Sequence, residues 1–203
     1  MALGLAAFRR GSPPRATHAL ERCLDLCRTW QLVAGIAPAA ATLGAAHALA
    51  GRTDEALALV TGAVDESRAS KSFRWAVPIL LHAGLAFFSA ARFEEAIGYS
   101  GEALALSRRL KARGGEAHAL LLAGDVASKA AAGDAEGYYR EGLAIAGELG
   151  MRPVVAHCHR GLGHLYRRTG QVERAREHLT GAATIYREMG MTHWLPSAQP
   201  ELE

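Results

Sequence analysis

The chain has 203 residues, 50% of them apolar but only 6% aromatic, so a core must be built mainly from Ala and Leu, which suits closely packed helices and argues against sheet. A net charge of +3, from 23 basic and 20 acidic residues interspersed along the chain, lacks the basic stripe that a phosphate backbone requires, so nucleic-acid binding is disfavoured. Three cysteines without framework spacing (Cys23, Cys27, Cys158) argue against a disulfide-stapled secreted protein and fit a reducing cytoplasm.

In chain order, MALGLAAFRRG places its charges after a short apolar run, the reverse of a signal peptide. Residues 2–10 read as the end of a first helix whose beginning is missing, as in a segment excised from a longer chain. Ser12-Pro13-Pro14 starts the next helix. Two uncharged segments follow, residues 29–51 and 75–91, interrupted by Pro38 and Pro78 and carrying His47 and His82. They read as helices buried between neighbours rather than as membrane spans. At each proline, either a helix begins or it is kinked. Turn signals occur at Ala50-Gly51-Arg52-Thr53-Asp54, Ala91-Arg92-Phe93, Ala132-Gly133-Asp134 and Thr169-Gly170-Gln171. Their glycines are candidate left-handed caps, and Thr53 and Asp134 are candidate N-caps. Residues 192–202, with Trp194 and Leu195, are expected to cap the last hairpin; Pro196 and Pro200 oppose a long helix there.

The organising feature is a repeat. Gly4, Gly44, Gly84, Gly124 and Gly163 recur about every 40 residues. Ala16, Ala56, Ala96 and Ala175 follow at a fixed distance, with Ala135 one residue early, and Cys23, Ala63, Ala103, Gly142 and Ala182 form a third small-residue landmark. Small residues at fixed phases mark places where helix backbones cross closely. Each unit is therefore a helix A, a turn and an amphipathic helix B, as in residues 94–106. One such hairpin cannot bury its own apolar faces, but a stack of them can.

These landmarks resemble those of tetratricopeptide (TPR) repeats, with Leu162-Gly163-x-x-Tyr166, Gly170, Ala175, Leu179 and Ala182 as a good copy. Gly84-x-x-Phe87, Ala91, Ala96 and Ala103 form another, whereas the unit with Ala127 in place of an aromatic is weaker. The run over residues 148–170, continued through Trp194, is similar to the C-terminal TPR region of bacterial multidomain signalling proteins. Those join a nucleotide cyclase or a kinase to an AAA-type ATPase. The expected fold is an all-α, right-handed TPR-like superhelical solenoid of antiparallel helix pairs, with four full units and a truncated first one. The expected units are 1–31, 32–71, 72–112, 113–151 and 152–191, in one domain over 1–203 with 192–203 as a cap.

In such stacks the A helices line a concave groove. The resemblance places Pro38, Ala41, Ala45, Ala48 and Leu49 there, then Pro78, Leu81, Leu85, Phe88 and Ser89. It adds His118, Leu121, Asp125, Ser128 and Lys129, then His157, Arg160, His164, Arg167 and Arg168. An apolar first half and a basic second half suit a peptide or helix with an apolar and an acidic part, unless the Ala-rich half packs closed and the arginines are a solvated face. Position 9 is Ala45, Leu85, Asp125 and His164, which does not support a chaperone-type carboxylate clamp. His157, Cys158, His159 and His164 do not converge as three or four metal ligands must, and Cys23 and Cys27 share a helix face as small hydrophobes.

No Walker motif or nucleophile–base–acid constellation is present, Asp125 and His164 being a pair without a third member. The reading is a non-catalytic scaffold without cofactor or metal that holds a protein, a peptide or other domains of a parent chain. An effector-sensing repeat domain is the alternative, and a metal-dependent enzyme ranks below it. The half-missing first helix leaves an apolar N-terminal edge through which two copies can pair.

Overall fold

The computed structural model describes residues 13–70 and 74–199. Among the described residues the regular structure is entirely helical, and the chain divides into two compact units, residues 1–106 and 107–203. Gly4, Ser12 and the expected first-helix end at residues 2–10 lie outside the described residues.

In the first unit, α1 (Pro13–Thr29), α2 (Val33–Leu49), α3 (Thr53–Ala69) and α4 (Ala76–Ser89) pack as successive neighbours, and α2 also packs against α4. Helix α5 (Phe93–Arg109) runs across the boundary between the units. In the second unit, α6 (Arg113–Ala130), α7 (Ala135–Glu148), α8 (Arg152–Arg168) and α9 (Val172–Glu188) pack in the same way, α6 also against α8. Two single turns of 3₁₀ helix, Thr192–Trp194 and Pro196–Ala198, then return onto α9. The A helices are thus α2, α4, α6 and α8.

The small landmarks are the crossing points. A Cβ on Gly44 would lie 2.7 Å from Val60 Cγ1 and 3.0 Å from the Ala56 carbonyl oxygen; on Gly163 it would lie 2.6 Å from Leu179 Cγ. Ala56, Ala96, Ala103 and Ala182 have no exposed surface. Cys23 is only half-buried, and the tighter sulfur contact is at Cys27, whose Sγ lies 2.9 Å from where a Gly35 Cβ would stand.

The turns correct one local expectation, the N-cap at Thr53, and add left-handed residues that are not glycine. Gly51, Gly133 and Gly170 do take left-handed conformations, but Gln31, Ala91, Lys111 and Ala131 do so without being glycine. Backbone bonds such as Arg52 N–H to the His47 carbonyl (2.9 Å) and Arg92 N–H to the Phe87 carbonyl (2.9 Å) close these helix ends and offset the strain. Thr53 is the first helical residue rather than a cap, and Arg52 before it makes no side-chain cap bond. Asp134 does cap, accepting from the Gly137 N–H at 2.8 Å. The two recurring prolines differ: Pro78 sits in the first turn of α4, whereas Pro38 lies inside α2 with Thr42 Oγ1 donating to its carbonyl at 2.7 Å.

Glycines in one fold element should therefore respond in opposite ways. Gly44→Ala should destabilise by about 1–2 kcal/mol, the overpacking exceeding the helix-propensity gain. Gly62→Ala, with nothing within 4 Å of its Cβ, should stabilise by about 0.5–1 kcal/mol. Chemical denaturation of the two variants checks both signs.

Candidate functional site

The expected groove positions meet different fates. On α2, Pro38, Ala41, Ala45 and Ala48 are all buried, because this helix is enclosed over residues 37–48 and presents no open face there. The Ala-rich half has packed closed. On α4, Leu81, Leu85 and Phe88 are half-buried, and Phe88 stacks at 6.1 Å on Phe93.

In the second unit, His118, Asp125, His157, Arg160 and His164 are half-buried while Lys129, Arg167 and Arg168 are exposed. Their surroundings form a connected set on α6 and α8. Tyr139 of α7 donates to Asp125 Oδ1 at 2.7 Å, its ring lying where Cβ atoms on Gly124 and Gly161 would stand at 2.7 and 2.4 Å. Burial raises the Asp125 pKa, with Arg160, Tyr139 and Lys129 pulling the other way; burial also raises Tyr139. His157 Nδ1 lies 2.6 Å from the Tyr186 hydroxyl. The Arg168 guanidinium donates to the Ser128 carbonyl at 2.7 Å, tying the end of α8 to α6, and Arg167 lies 3.3 Å from His164 Nδ1.

The segment expected to cap the last hairpin does so, and it also covers part of this face. Trp194 meets His157 edge-on at 4.9 Å and lies 5.1 Å from the Arg160 guanidinium, a cation–π distance. Sequence placed Trp194 over the last hairpin, but nothing in the spacing announced its partners on α8. Also missed were the tyrosines, whose hydroxyls connect helix B to helix A.

On the B-helix side, Tyr166 has no exposed surface; it donates to Glu136 at 2.8 Å, accepts from Arg140 at 3.1 Å and lies under Arg174 at 4.3 Å. His159 and His178 bring Nδ1 atoms to 2.8 Å, which requires one ring to donate and the other to accept. Cys158 is buried, its thiol pushed up to about 12 by desolvation, and so is no nucleophile. Among the described residues no group of three or more His, Cys, Asp or Glu is placed to hold a metal ion, and no helix is long and apolar enough to cross a membrane.

Burial lowers four imidazoles of this unit: His157 to about 3, and His159, His164 and His178 in the same direction. The unfolded chain binds protons at these sites first, so stability is full above the ordinary histidine value and falls as pH drops below it. Asp125, raised, acts in the opposite sense but is one group against four. The melting temperature should fall between pH 7.5 and pH 5, and His157→Gln should remove part of that fall. Thermal unfolding at the two pH values checks it.

No protein-family model and no curated protein matches the sequence. Solved structures do. BtubC (BKLC) from P. vanneervenii superposes with a TM-score of 0.68 at 18% identity, over 87% of this chain and 74% of that one. A putative kinesin light chain with nearly identical TPR-like repeats from Podosopora anserina gives 0.56 at 14% identity, over 93% of each chain. A single-substitution variant of that protein gives 0.54 at 17% identity, also over 93% of each. At these identities the likeness speaks to fold alone: the chain has the fold of the TPR-like helical repeat proteins.

Proposed function

We propose that this chain is a non-catalytic interaction scaffold whose α6–α8 face receives an acidic segment of a protein partner or of a parent chain's other domains. The observation that carries this reading is the unequal pairing of cations. In the same unit Arg108, Arg113, Arg140, Arg152 and Arg174 all lie within salt-bridge distance of glutamates. Lys129, Arg160, Arg167 and Arg168 of α6 and α8 enter none of the salt bridges among the described residues, and neither do Arg176 and Arg187 of α9. The carboxylate among them, Asp125, is engaged by Tyr139. Positive charge left without a carboxylate partner on a helical-repeat face suits an anionic chain segment and sets its on-rate more than its final affinity. The resemblance to bacterial cyclase/ATPase signalling proteins supports a regulatory role in the cytoplasm.

The test is fluorescence anisotropy with a labelled Glu-rich decapeptide and a Lys-rich control, on wild type and on Arg160→Glu/Arg167→Glu/Arg168→Glu. Binding of the acidic probe alone, weakened at least tenfold by the triple substitution and by added salt, supports the reading. Equal binding by both proteins rejects it and returns the arginines to a solvated face, with the effector-sensing alternative next in order.

A second contact surface lies at the turn after α1. Leu26, Trp30, Leu32 and Val33 are 53%, 70%, 55% and 65% exposed, an apolar cluster of the kind that soluble proteins rarely leave open. We propose that two copies pair here. Light scattering should show a mass that rises toward the dimer with concentration, and Trp30→Glu/Val33→Glu should hold it at the monomer; a wild-type monomer at high concentration sinks the idea.

A further inference from the structure

We propose that residues 192–199 are a resident, displaceable occupant of the α8 face, and that this face takes chain segments bearing an aromatic side chain. The proposal deepens the reading of α8 as a binding face and rests on it, but its chemistry is distinct from that of the acidic segment.

The segment covers the same residues that a groove ligand would need. Trp194 takes the Arg160 guanidinium on its ring and the His157 ring against its edge. Met191 and Ala198 anchor the two ends, 2% and 0% exposed, in a cluster with Ala156, Ala182, Ala183 and Tyr186. Between these anchors Thr192, His193 and Pro196 are exposed.

Little backbone structure holds the segment in place. Its two 3₁₀ turns of three residues each rest on i→i−3 bonds, of which Leu195 N–H to Thr192 (3.3 Å) and Gln199 N–H to Pro196 (3.5 Å) are long. Pro196 has no N–H and prevents the turns from joining into one helix. Trp194 Nε1 is buried without a hydrogen-bond partner, a desolvation that release into water would relieve. Trp194 is therefore seated by its ring contacts rather than by a satisfied polar network. Local opening of such a segment need not disturb the helices beneath it. It uncovers His157 and Arg160 together, so an incoming aromatic segment competes with Trp194 for one place.

Hydrogen exchange on the full chain comes first. Amides of residues 194–199 should exchange at least 100-fold faster than the core amides of α8 and α9; equal protection makes the segment a fixed cap and overturns the proposal. The second measurement uses a labelled peptide of residues 190–199 and the full-length Trp194→Ala chain, whose resident ring is gone. Saturable binding is expected, at least tenfold weaker to the wild-type chain, to Trp194→Ala/Arg160→Ala, and for a peptide with its Trp replaced by Ala. Fast exchange without peptide binding means a frayed end and no aromatic site, which also overturns the proposal. Should Trp194→Ala fail to fold, exchange in the wild-type chain decides alone, because a fixed cap opens only with its helices. Neither probe is acidic, so failure here leaves the basic-face reading standing, and the reverse holds as well.

Discussion

The second unit depends on one wedge, the Tyr139 ring between two glycines. With side chains at Gly124 and Gly161 the ring of α7 could not lie between α6 and α8, since each Cβ would fall within 2.7 Å of it. Real contacts of that length do not persist, so the two missing Cβ atoms are what let three helices close around one aromatic. The ring's hydroxyl ends on Asp125, which fixes a half-buried carboxyl on the A-helix face. One packing constraint thus sets both the helix spacing and the chemistry of the face. The fourth unit departs at its turn, where four residues, 131–134, separate helix A from helix B and the other units use three.

Around this wedge glutamates pair several arginines: Arg113 with Glu148 at 2.7 Å, Arg152 with Glu188, and Arg108 with both Glu116 and Glu141. The Arg113 and Arg152 pairs join the start of an A helix to the end of its B helix, about one repeat apart from each other. Exposed pairs of this kind add little stability but fix register. Glu116 is the exception, buried to 8% exposure and held by two arginines, so its loss would leave their ends of α5 and α6 without a shared anion. On α6 and α8, Lys129, Arg160, Arg167 and Arg168 enter no such pair, and neither do Arg176 and Arg187 on α9.

The fold was legible because it is written in residues whose smallness has one purpose. Gly44, Gly163, Ala56 and Ala182 could be read without a structure, since an apolar helix gains nothing from glycine unless a backbone must pass close by. The site was less legible. Position within helix A assigned Ala41 and Ala45 to an open face, but neighbours on three sides enclose α2, and enclosure is a property of packing that no local spacing carries. Asp125 and His157 were placed on the right helices, yet their tyrosine partners come from B helices 14 and 29 residues away, beyond any single-helix pattern.

Trp194 shows the same limit from the other direction. A bulky aromatic after the last amphipathic helix reads as a lid over exposed apolar surface, and Met191 and Ala198 do serve that purpose. The indole packs against that cluster and also lies on a guanidinium and an imidazole. A lid that needed only to exclude water would be better served by Leu or Met, which bury no orphaned N–H. An indole over a cation gains from the ring quadrupole what it loses at Nε1, an exchange that favours recognition geometry over burial. The end of the described chain thus sits on the α8 face in the manner of a ligand, and the arginine beneath it belongs to the set of cations that enter no salt bridge among the described residues.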